Sequence, residues 1–369
     1  MKILAAFDSF KESMSAYEAG EAVRRGAMGH HVIIKPMADG GEGTMMAMNA
    51  SMSGVIHKIK VTGPLFREVQ AQLALCDGLA IIECAQACGL DKLKEEEKVG
   101  LQTTSLGVGE MIRYAYLKGA RRFLITLGGT ASNDGGMGML TSLGIRFLDQ
   151  HHHEVHPVAQ SLHDVALIDM SAYLFKDADI EIVGACDVVN PLCGSEGATY
   201  VFGPQKGIPQ SALLSVDQGM KSYSQLVAKL LDKDISTTPG SGAAGGLGFA
   251  IMAFMNGRLE KGFDQVARVT HLEEAIQEVD LVMTGEGKMD EQTLYGKTPL
   301  GVLKLAKKHH KPTVAFAGKI EDRRLLKQAG FEDVRCINHE ELPLEELLKH
   351  GSENLTKEVK MYLEERKNG

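Results

Sequence analysis

Residues 2–44, KILAAFDSFKESMSAYEAGEAVRRGAMGHHVIIKPMADGGEGT, alternate between two kinds of pattern. The apolar run at 2–7 is typical of a buried strand, and the run at 31–36 is typical of a second one. Between them, residues 15–28 have helical periodicity, with Ser15 as a candidate N-cap. A helix between two buried strands indicates a parallel sheet covered by helices, so this stretch predicts an α/β fold.

The rest of the chain interrupts this pattern and then returns to it. Residues 55–85 contain several short strand-like runs joined by turns, which favours antiparallel pairing. The last third alternates strands and helices again. We therefore predict two α/β domains. One is a parallel-sheet domain built from both chain ends, 1–64 plus 281–369, and the other is an inserted domain with a mixed sheet, 65–280.

Composition is that of a globular protein, with 369 residues, 44% apolar and 24% charged. The net charge of −8 argues against a broad nucleic-acid-binding surface but allows a local basic pocket for a small anion. Six cysteines without a C-x-x-C pair favour reduced thiols. The N-terminus lacks a signal-peptide core, and no apolar run is long enough for a membrane helix. We expect a cytoplasmic protein without nucleic-acid or membrane partners; the oligomeric state stays open.

Glycine-rich loops recur at four places in the chain. Glycine lets backbone N–H groups approach a ligand closely, and the start of a helix favours an anion. Three of the four loops also carry acids. Together they indicate a site for a phosphate with a metal, although one such loop alone usually just closes a turn. The loops are at 38–44, 127–139, 240–249 and 284–293.

Acidic residues lie in loops beside several predicted strand ends, where α/β folds bind phosphates and nucleotides. Taken one by one, each acid is better interpreted as a solvated turn residue. Their joint placement favours a functional site. The acids are Asp8, Asp39, Glu42, Asp134, Asp187, Glu286 and Asp290.

Three familiar motifs are excluded or disfavoured. The stretch GSGAAG at 240–245 matches G-x-G-x-x-G but follows no convincing strand, so a dinucleotide fingerprint is disfavoured. The stretch YGKTP at 295–299 lacks the first glycine of a P-loop, because Glu291 stands there. The triple histidine at 151–153 has no partner at ligand spacing and is interpreted as a solvated hairpin tip.

Six short motifs along the chain carry a resemblance to a known family. In order and spacing, the chain is similar to bacterial glycerate kinases and resembles the glycerate kinase type-1 family over essentially its whole length. Two mild departures are Lys288, where the family often has Arg, and GGTASND in place of GGSATND. The motifs are DSFKES (8–13), PMADGGEGT (36–44), LGGTASNDGGMGML (127–140), CDVVNPL (186–192), GSGAAGGLGFA (240–250) and TGEGKMDEQTLYGKTP (284–299).

The resemblance implies ATP-dependent phosphorylation of D-glycerate, one flavodoxin-like domain built from both chain ends, and an active site in the cleft between two domains. It leans toward 2-phosphoglycerate over 3-phosphoglycerate as the product. Two alternatives stay open at this point. One is a nucleotide-dependent oxidoreductase of a small hydroxy acid, and the other is a non-catalytic sugar-acid sensor.

Residue roles follow from the chemistry of phosphoryl transfer, which needs two anions positioned and spreading charge neutralised. Mg²⁺ prefers carboxylate oxygens, so we expect its ligands among Asp39, Glu42, Glu286 and Asp290. The catalytic candidates are Asp187 as first choice for general base, Asp8, and Lys11 and Lys288 for a phosphate or the glycerate carboxylate. The predicted ATP-binding positions are Gly40, Gly41, Gly43, Thr44, Gly128, Gly129, Asn133, Asp134, Gly242, Gly245 and Gly285, with Asn133 also suited to a structural cap.

Overall fold

The computed structural model of the chain describes residues 1–291, 293, 297–340 and 342–368. The chain forms two compact units, each considered by itself. Unit 1 consists of Met1–Asp39, Met46–Ser53 and Gly262–Gly369, and unit 2 of Gly40–Met45 and Gly54–Lys261. The domain boundaries expected above remain a prediction.

The strands are named in chain order. They are β1 (Lys2–Phe7), β2 (His31–Ile34), β3 (Val55–Thr62), β4 (Glu68–Cys76), β5 (Leu79–Glu83), β6 (Arg122–Thr126), β7 (Arg146–Leu148), β8 (Leu167–Asp169), β9 (Glu181–Ala185), β10 (Arg258–Glu260), β11 (Leu281–Met289), β12 (Thr313–Ile320) and β13 (Asp333–Cys336).

The α-helices are named in the same way. They are α1 (Ala16–Gly26), α2 (Thr44–Met52), α3 (Ala85–Cys88), α4 (Leu106–Leu117), α5 (Met137–Ser142), α6 (Ala198–Phe202), α7 (Leu213–Leu231), α8 (Leu247–Phe254), α9 (Gly262–Val269), α10 (Leu272–Gln277), α11 (Thr298–Lys308), α12 (Arg323–Ala329), α13 (Leu344–Lys349) and α14 (Gly351–Asn368).

Unit 1 contains a five-stranded parallel sheet in the order β13-β12-β11-β1-β2. Strand β1, an interior strand of this sheet, has β2, the next strand of the chain, on one side and β11, from the last third of the chain, on the other. The strand order therefore reverses between β1 and β11, as it does in flavodoxin-like folds. This confirms the predicted parallel sheet built from both chain ends. It also places a topological switch point, where such folds bind ligands, at the carboxyl ends of β1 and β11.

The first elements of unit 1 form for the reasons visible in the sequence. Residues Ile3–Phe7 are buried on both faces, which suits an interior strand covered by helices. Helix α1 begins at Ser15 with a capping box, in which Ser15 and Glu18 satisfy each other's backbone N–H groups. Its buried face packs against β1 and α14 in one apolar core.

Unit 2 contains a six-stranded mixed sheet in the order β10-β9-β6-β5-β4-β3. Strands β3, β4 and β5 pair antiparallel, and β5, β6, β9 and β10 pair parallel. This confirms the predicted mixed sheet.

The polar turn at 151–153 is exposed, as expected for a solvated tip. Its hairpin is shorter than the sequence suggests. A single bridge joins Leu148 to Glu154, whereas β7 takes β8 as its partner strand.

Two further expectations concern chemistry and location. The structure describes all six cysteines, and none of them forms a disulfide bond. Among the described residues, no helix combines the length and apolar character that crossing a membrane requires.

Replacement of Gly26 by alanine tests the contact between α1 and α14. A Cβ on Gly26 would lie 2.5 Å from the carbonyl oxygen of Thr356 and 2.9 Å from the Cβ of Val359. Because backbone cannot yield there without moving α14, Gly26→Ala should lower the free energy of unfolding by about 1–3 kcal/mol. Urea denaturation of the purified variant measures this.

The matched control is Arg24→Ala, on the exposed face of the same helix. Arg24 makes only an exposed ion pair with Glu21, so its removal should change the unfolding free energy by less than about 0.5 kcal/mol. Equal stability losses in both variants would disprove the close-contact explanation.

Candidate functional site

Three of the predicted acids meet at the switch point of the unit 1 sheet. Asp8 directly follows β1, and its backbone N–H donates to the carbonyl oxygen of Gly285 on β11 at 3.0 Å. Glu286 is the next residue of β11, so the parallel register brings both acids to the same edge. Asp39 follows β2, and its charge acts on both of the others. The structure thus groups Asp8, Asp39 and Glu286.

The surroundings of Asp8 disfavour the ionised form of its carboxyl group. Burial and then the charge of Asp39 raise its pKa to about 6. Three hydrogen bonds oppose this shift, the longest of them from the Ser9 hydroxyl to Oδ1 at 3.4 Å. The Thr298 hydroxyl donates to Oδ2 at 2.5 Å, and the Ser9 backbone N–H donates to Oδ1 at 2.7 Å. Asp8 is therefore held in one orientation while its ionised form is disfavoured.

The pKa of Glu286 is raised further from its ordinary value than that of Asp8. Burial, with smaller contributions from Asp8 and Asp39, raises its pKa to about 7. The Thr293 hydroxyl donates to Oε1 at 2.8 Å, and the ammonium of Lys297 lies 4.0 Å from Oε2. Glu286 is thus a buried acid near the midpoint of its titration at neutral pH, a property that clusters at functional sites.

Crowded carboxylates of this kind suit a hard cation, because a positive charge would relieve their repulsion. Across the residues that the structure describes, no three His, Cys, Asp or Glu side chains form a ready-made metal cage. Mg²⁺ does not require one, since it usually binds through one or two carboxylates plus substrate phosphates. The oxygen donors of Asp39 and Glu286 fit that mode.

Lys288 and Asp290 pair with each other rather than with the three acids. The Lys288 ammonium lies 3.0 Å from Asp290 and 2.8 Å from Glu321, and its side chain is half exposed. Lys11 is exposed in the loop after β1. The described stretch resumes at Lys297, so Tyr295 and Gly296 of the quoted motif lie outside the described residues.

A second group of predicted residues meets within unit 2. A Cβ built on Gly128 would lie 3.5 Å from the Cα of Gly41, so the loops that follow β2 and β6 touch here. The Thr44 hydroxyl donates to the carbonyl oxygen of Gly41 at 2.8 Å. Gly40 and Gly129 have φ of 94° and 67°, which only glycine adopts without strain. The structure therefore brings the predicted phosphate loops at 40–44 and 128–129 together.

The backbone N–H groups at the start of α2 already bind a carboxylate of the protein itself. Glu83, buried at the end of β5, accepts the backbone N–H of Met45 at 2.8 Å, and the N–H of Gly43 also stabilises its charge. Burial nevertheless raises the pKa of Glu83, and the exposed Glu42 adds to the shift. The amides of Gly43 and Met45 thus serve an internal carboxylate.

Other predicted cofactor residues have packing roles in the structure. Asp134 is fully buried and accepts hydrogen bonds from the backbone and hydroxyl of Ser105 and from the backbone of Gly136 and Gly138. Asn133, also buried, donates to the Thr199 hydroxyl.

Three glycines of the predicted set are required by close backbone contacts. A Cβ would meet a carbonyl oxygen at 2.2 Å on Gly242, 2.1 Å on Gly245 and 1.9 Å on Gly285. These contacts explain the glycines without a ligand. No strand of the described residues lies between β9 and β10, so GSGAAG lacks the strand that a dinucleotide fingerprint needs.

Asp187 belongs to unit 2, whereas Asp8, Asp39 and Glu286 belong to unit 1. Asp187 is exposed two residues after β9, at the carboxyl end of a strand as predicted. Glu42 also belongs to unit 2.

Sequence reasoning missed several residues that hold these groups. Thr293, Lys297 and Thr298 lie inside a quoted motif, and only their neighbours in space identify them. Buried Lys206 donates to the carbonyl oxygen of Ser132 at 2.6 Å and fixes the loop after β6. It carried no sequence signal, and neither did Glu83.

Replacing Glu286 by glutamine should change how stability depends on pH. The folded pKa, about 7, lies above the ordinary value of 4.5. Between these pH values the folded state keeps a proton that the unfolded state has lost, so stability falls as pH rises. Glu286→Gln should abolish this loss, on the order of 2 kcal/mol. Urea denaturation between pH 4.5 and about 8, in metal-free buffer, measures it.

Asp8→Asn provides the comparison. The folded pKa of Asp8 is about 6, against 3.8 ordinarily, so this variant should remove a loss that is complete by about pH 6. Parallel pH profiles for wild type and Glu286→Gln would contradict the proposed burial of Glu286.

Comparison with known proteins agrees with this geometry. The glycerate kinase family profile matches residues 3–364. A glycerate kinase from Bacillus subtilis (strain 168) is 41% identical over 360 residues, covering 96% of this chain and 94% of that protein. Glycerate 2-kinase from Escherichia coli (strain K12) is 41% identical over 344 residues, covering 91% of this chain and 90% of that protein.

The fold has a close counterpart among solved structures. A crystal structure from Salmonella typhimurium LT2, assigned as glycerate kinase 2, superposes with a TM-score of 0.92 at 38% identity. The match covers 100% of this chain and 99% of that one. Because the family profile spans nearly the whole sequence and relatives of this similarity align from end to end, the chain belongs to the glycerate kinase family.

Proposed function

We propose that this kinase transfers the γ-phosphate of ATP to the 2-hydroxyl of D-glycerate with the help of Mg²⁺. The observation that carries the proposal is the crowding of Asp8, Asp39 and Glu286 at a switch point, in a chain of this family. The 2-hydroxyl is favoured because a relative that is 41% identical is a glycerate 2-kinase. The six cysteines form no disulfide bond, which suits the reducing cytoplasm, where we place the reaction.

Asp39 and Glu286 are the proposed holders of Mg²⁺. When bound, Mg²⁺ supplies positive charge that offsets the negative charge of the transferring phosphoryl group. Hydrogen bonds from Thr298 and Ser9 fix the orientation of Asp8, which contributes a third carboxylate beside these two acids. Lys297, 4.0 Å from Glu286, and Lys11 are suited to phosphate oxygens, because neither side chain is fully buried.

The glycine loops of unit 2 are proposed to hold an anionic part of a substrate. Gly40, Gly41, Gly128 and Gly129 present backbone without Cβ atoms, and the two loops touch. Gly43 is better described as a partner of Glu83. The anion contacts are therefore assigned to these four glycines. The start of α2 has a structural role, because its backbone N–H groups bind Glu83.

Asp187 is the proposed general base. A base must accept the hydroxyl proton as the phosphorus–oxygen bond forms, and a carboxylate at a strand's carboxyl end is well placed for small-molecule chemistry. Its exposure leaves it accessible to a substrate.

The direct test is an assay of the purified protein with D-glycerate and ATP. We expect ADP formation that depends on glycerate, loss of activity with EDTA, recovery with Mg²⁺, and 2-phosphoglycerate as the product by ³¹P NMR. Absence of glycerate-dependent ADP formation would overturn the proposed reaction. Formation of 3-phosphoglycerate would overturn the choice of hydroxyl alone.

Asp187→Asn tests the base. Since Asp187 is exposed, the variant should fold normally, while kcat falls about a hundredfold or more with a smaller change in KM. Steady-state kinetics with both substrates give these values.

The matched control for this variant is Asp177→Asn, an exposed acid that precedes the same strand β9 and therefore lies toward its other end. It should retain wild-type kcat. If Asp187→Asn also keeps nearly normal kcat, the base lies elsewhere.

A further inference from the structure

A cavity of about 620 Å³ opens at the carboxyl edge of the unit 1 sheet. Its walls are the loop after β1, the ends of β11 and β12, and helix α13. The volume falls within the range of small-molecule sites, and the position beside the switch point is where α/β sheets bind ligands. Glu286 is part of its lining, so the cavity reaches one of the two proposed Mg²⁺ holders.

One part of the cavity lining, called the apolar end, is hydrophobic. It consists of Ile337 and of Leu344, Leu347 and Leu348 of α13. None of the six residues of α13 is buried, and Leu344 is 68% exposed. These leucines therefore present apolar surface that the described protein does not cover. Such surface matches the face of an aromatic ring system.

A second part of the lining, called the cationic end, carries several lysines. Four lysines line the cavity, Lys11, Lys288, Lys297 and Lys319, against two glutamates, Glu12 and Glu286. Lys288 and Lys297 have carboxylate neighbours within 4.0 Å. Lys11 and Lys319 have none among the described residues. This excess of positive charge suits a ligand with several phosphates.

Hydrogen bonds hold the walls of the cavity in place. The Ser13 hydroxyl donates to the carbonyl oxygen of Leu348 at 2.6 Å and joins the loop after β1 to α13. The Asn338 side chain donates to the carbonyl oxygen of Gly318 at 2.9 Å and accepts from Asn354 at 3.0 Å. The cavity is therefore preformed, which lowers the entropic cost of binding.

We propose that this cavity binds the nucleotide, with the purine base against Leu344 and Leu348 and the phosphates along the lysines toward Glu286. The assignment rests on the proposed phosphoryl transfer from ATP. Glycerate fits the apolar end poorly, since it has no apolar face to cover the leucines. The cavity supplies both halves that a nucleoside polyphosphate needs, a flat apolar wall and a cationic end.

Calorimetric titration with Mg·ADP tests the apolar end through Leu344→Asp. Leu342→Asp is the matched control, since Leu342 is 44% exposed two residues earlier and lines a different cavity. A charge against the base should raise the Kd of ADP about tenfold or more in Leu344→Asp. Leu342→Asp should keep the wild-type Kd, and both variants should keep the wild-type glycerate KM within about twofold.

Lys319→Glu tests the cationic end, with Lys304→Glu on the exposed face of α11 as control. Both lysines are exposed, so neither change should unfold the protein. Lys319→Glu should weaken ADP binding roughly fivefold, more at low salt than at high salt, whereas Lys304→Glu should not.

The outcomes separate this assignment from the proposed reaction. A wild-type protein that phosphorylates glycerate, with unchanged ADP binding in Leu344→Asp and Lys319→Glu, would overturn the nucleotide assignment and leave the reaction standing. A raised glycerate KM with unchanged ADP Kd would assign the cavity to the acceptor and overturn it equally. A wild type that binds Mg·ADP in this cavity but transfers no phosphate would support the assignment and overturn the reaction.

Discussion

Like charges held at one buried edge are the constraint on which the unit 1 site depends. Asp8 and Glu286 come together because β1 and β11 are neighbours in a parallel sheet, and Asp39 adds a third charge from the loop after β2. Burial alone would favour protonation. Two of these carboxylates are kept in orientation by hydrogen bonds. Asp8 accepts from Thr298 and Ser9, and Glu286 accepts from Thr293. The protein thus maintains an arrangement whose repulsion the proposed Mg²⁺ would relieve, which is a form of preorganisation.

Glycine serves two different purposes in this chain. At Gly242 and Gly285 its missing Cβ permits backbones to approach closely, and nothing else would fit. At Gly40 and Gly129 it supplies a left-handed conformation in loops that touch each other. The two uses look the same in a sequence, but only the second leaves backbone available to a ligand.

The fold was largely predictable from local pattern. The apolar run of β1 and the cap at Ser15 carry their own signals, and alternation at both chain ends predicted the parallel sheet. The acids Asp8, Asp39 and Glu286 were each identified from their position after a strand. Their mutual proximity depends on strand order, which local pattern does not contain.

The residues that the sequence analysis did not identify were missed for one physical reason. Glu83 and Lys206 act through burial beside groups far away in the sequence, and a charged residue in a short polar run looks the same whether it is buried or solvated. Conversely, Asn133 and Asp134 lie in a loop with the composition of a ligand site, yet their side chains hold that loop together. Without an alignment, composition cannot distinguish the two roles.

The position of β1 in the sheet also affects how the protein folds during synthesis. Strands β1 and β2 leave the ribosome before unit 2, but β11 follows only after the whole of unit 2 has been made. Until then one edge of β1, whose side chains from Ile3 to Phe7 end up fully buried, has no partner strand. Unit 2 is continuous from Gly54 onward and completes its mixed sheet earlier. The nascent chain therefore carries an open, apolar strand edge for most of its translation, the kind of surface that invites intermolecular pairing and that chaperones protect.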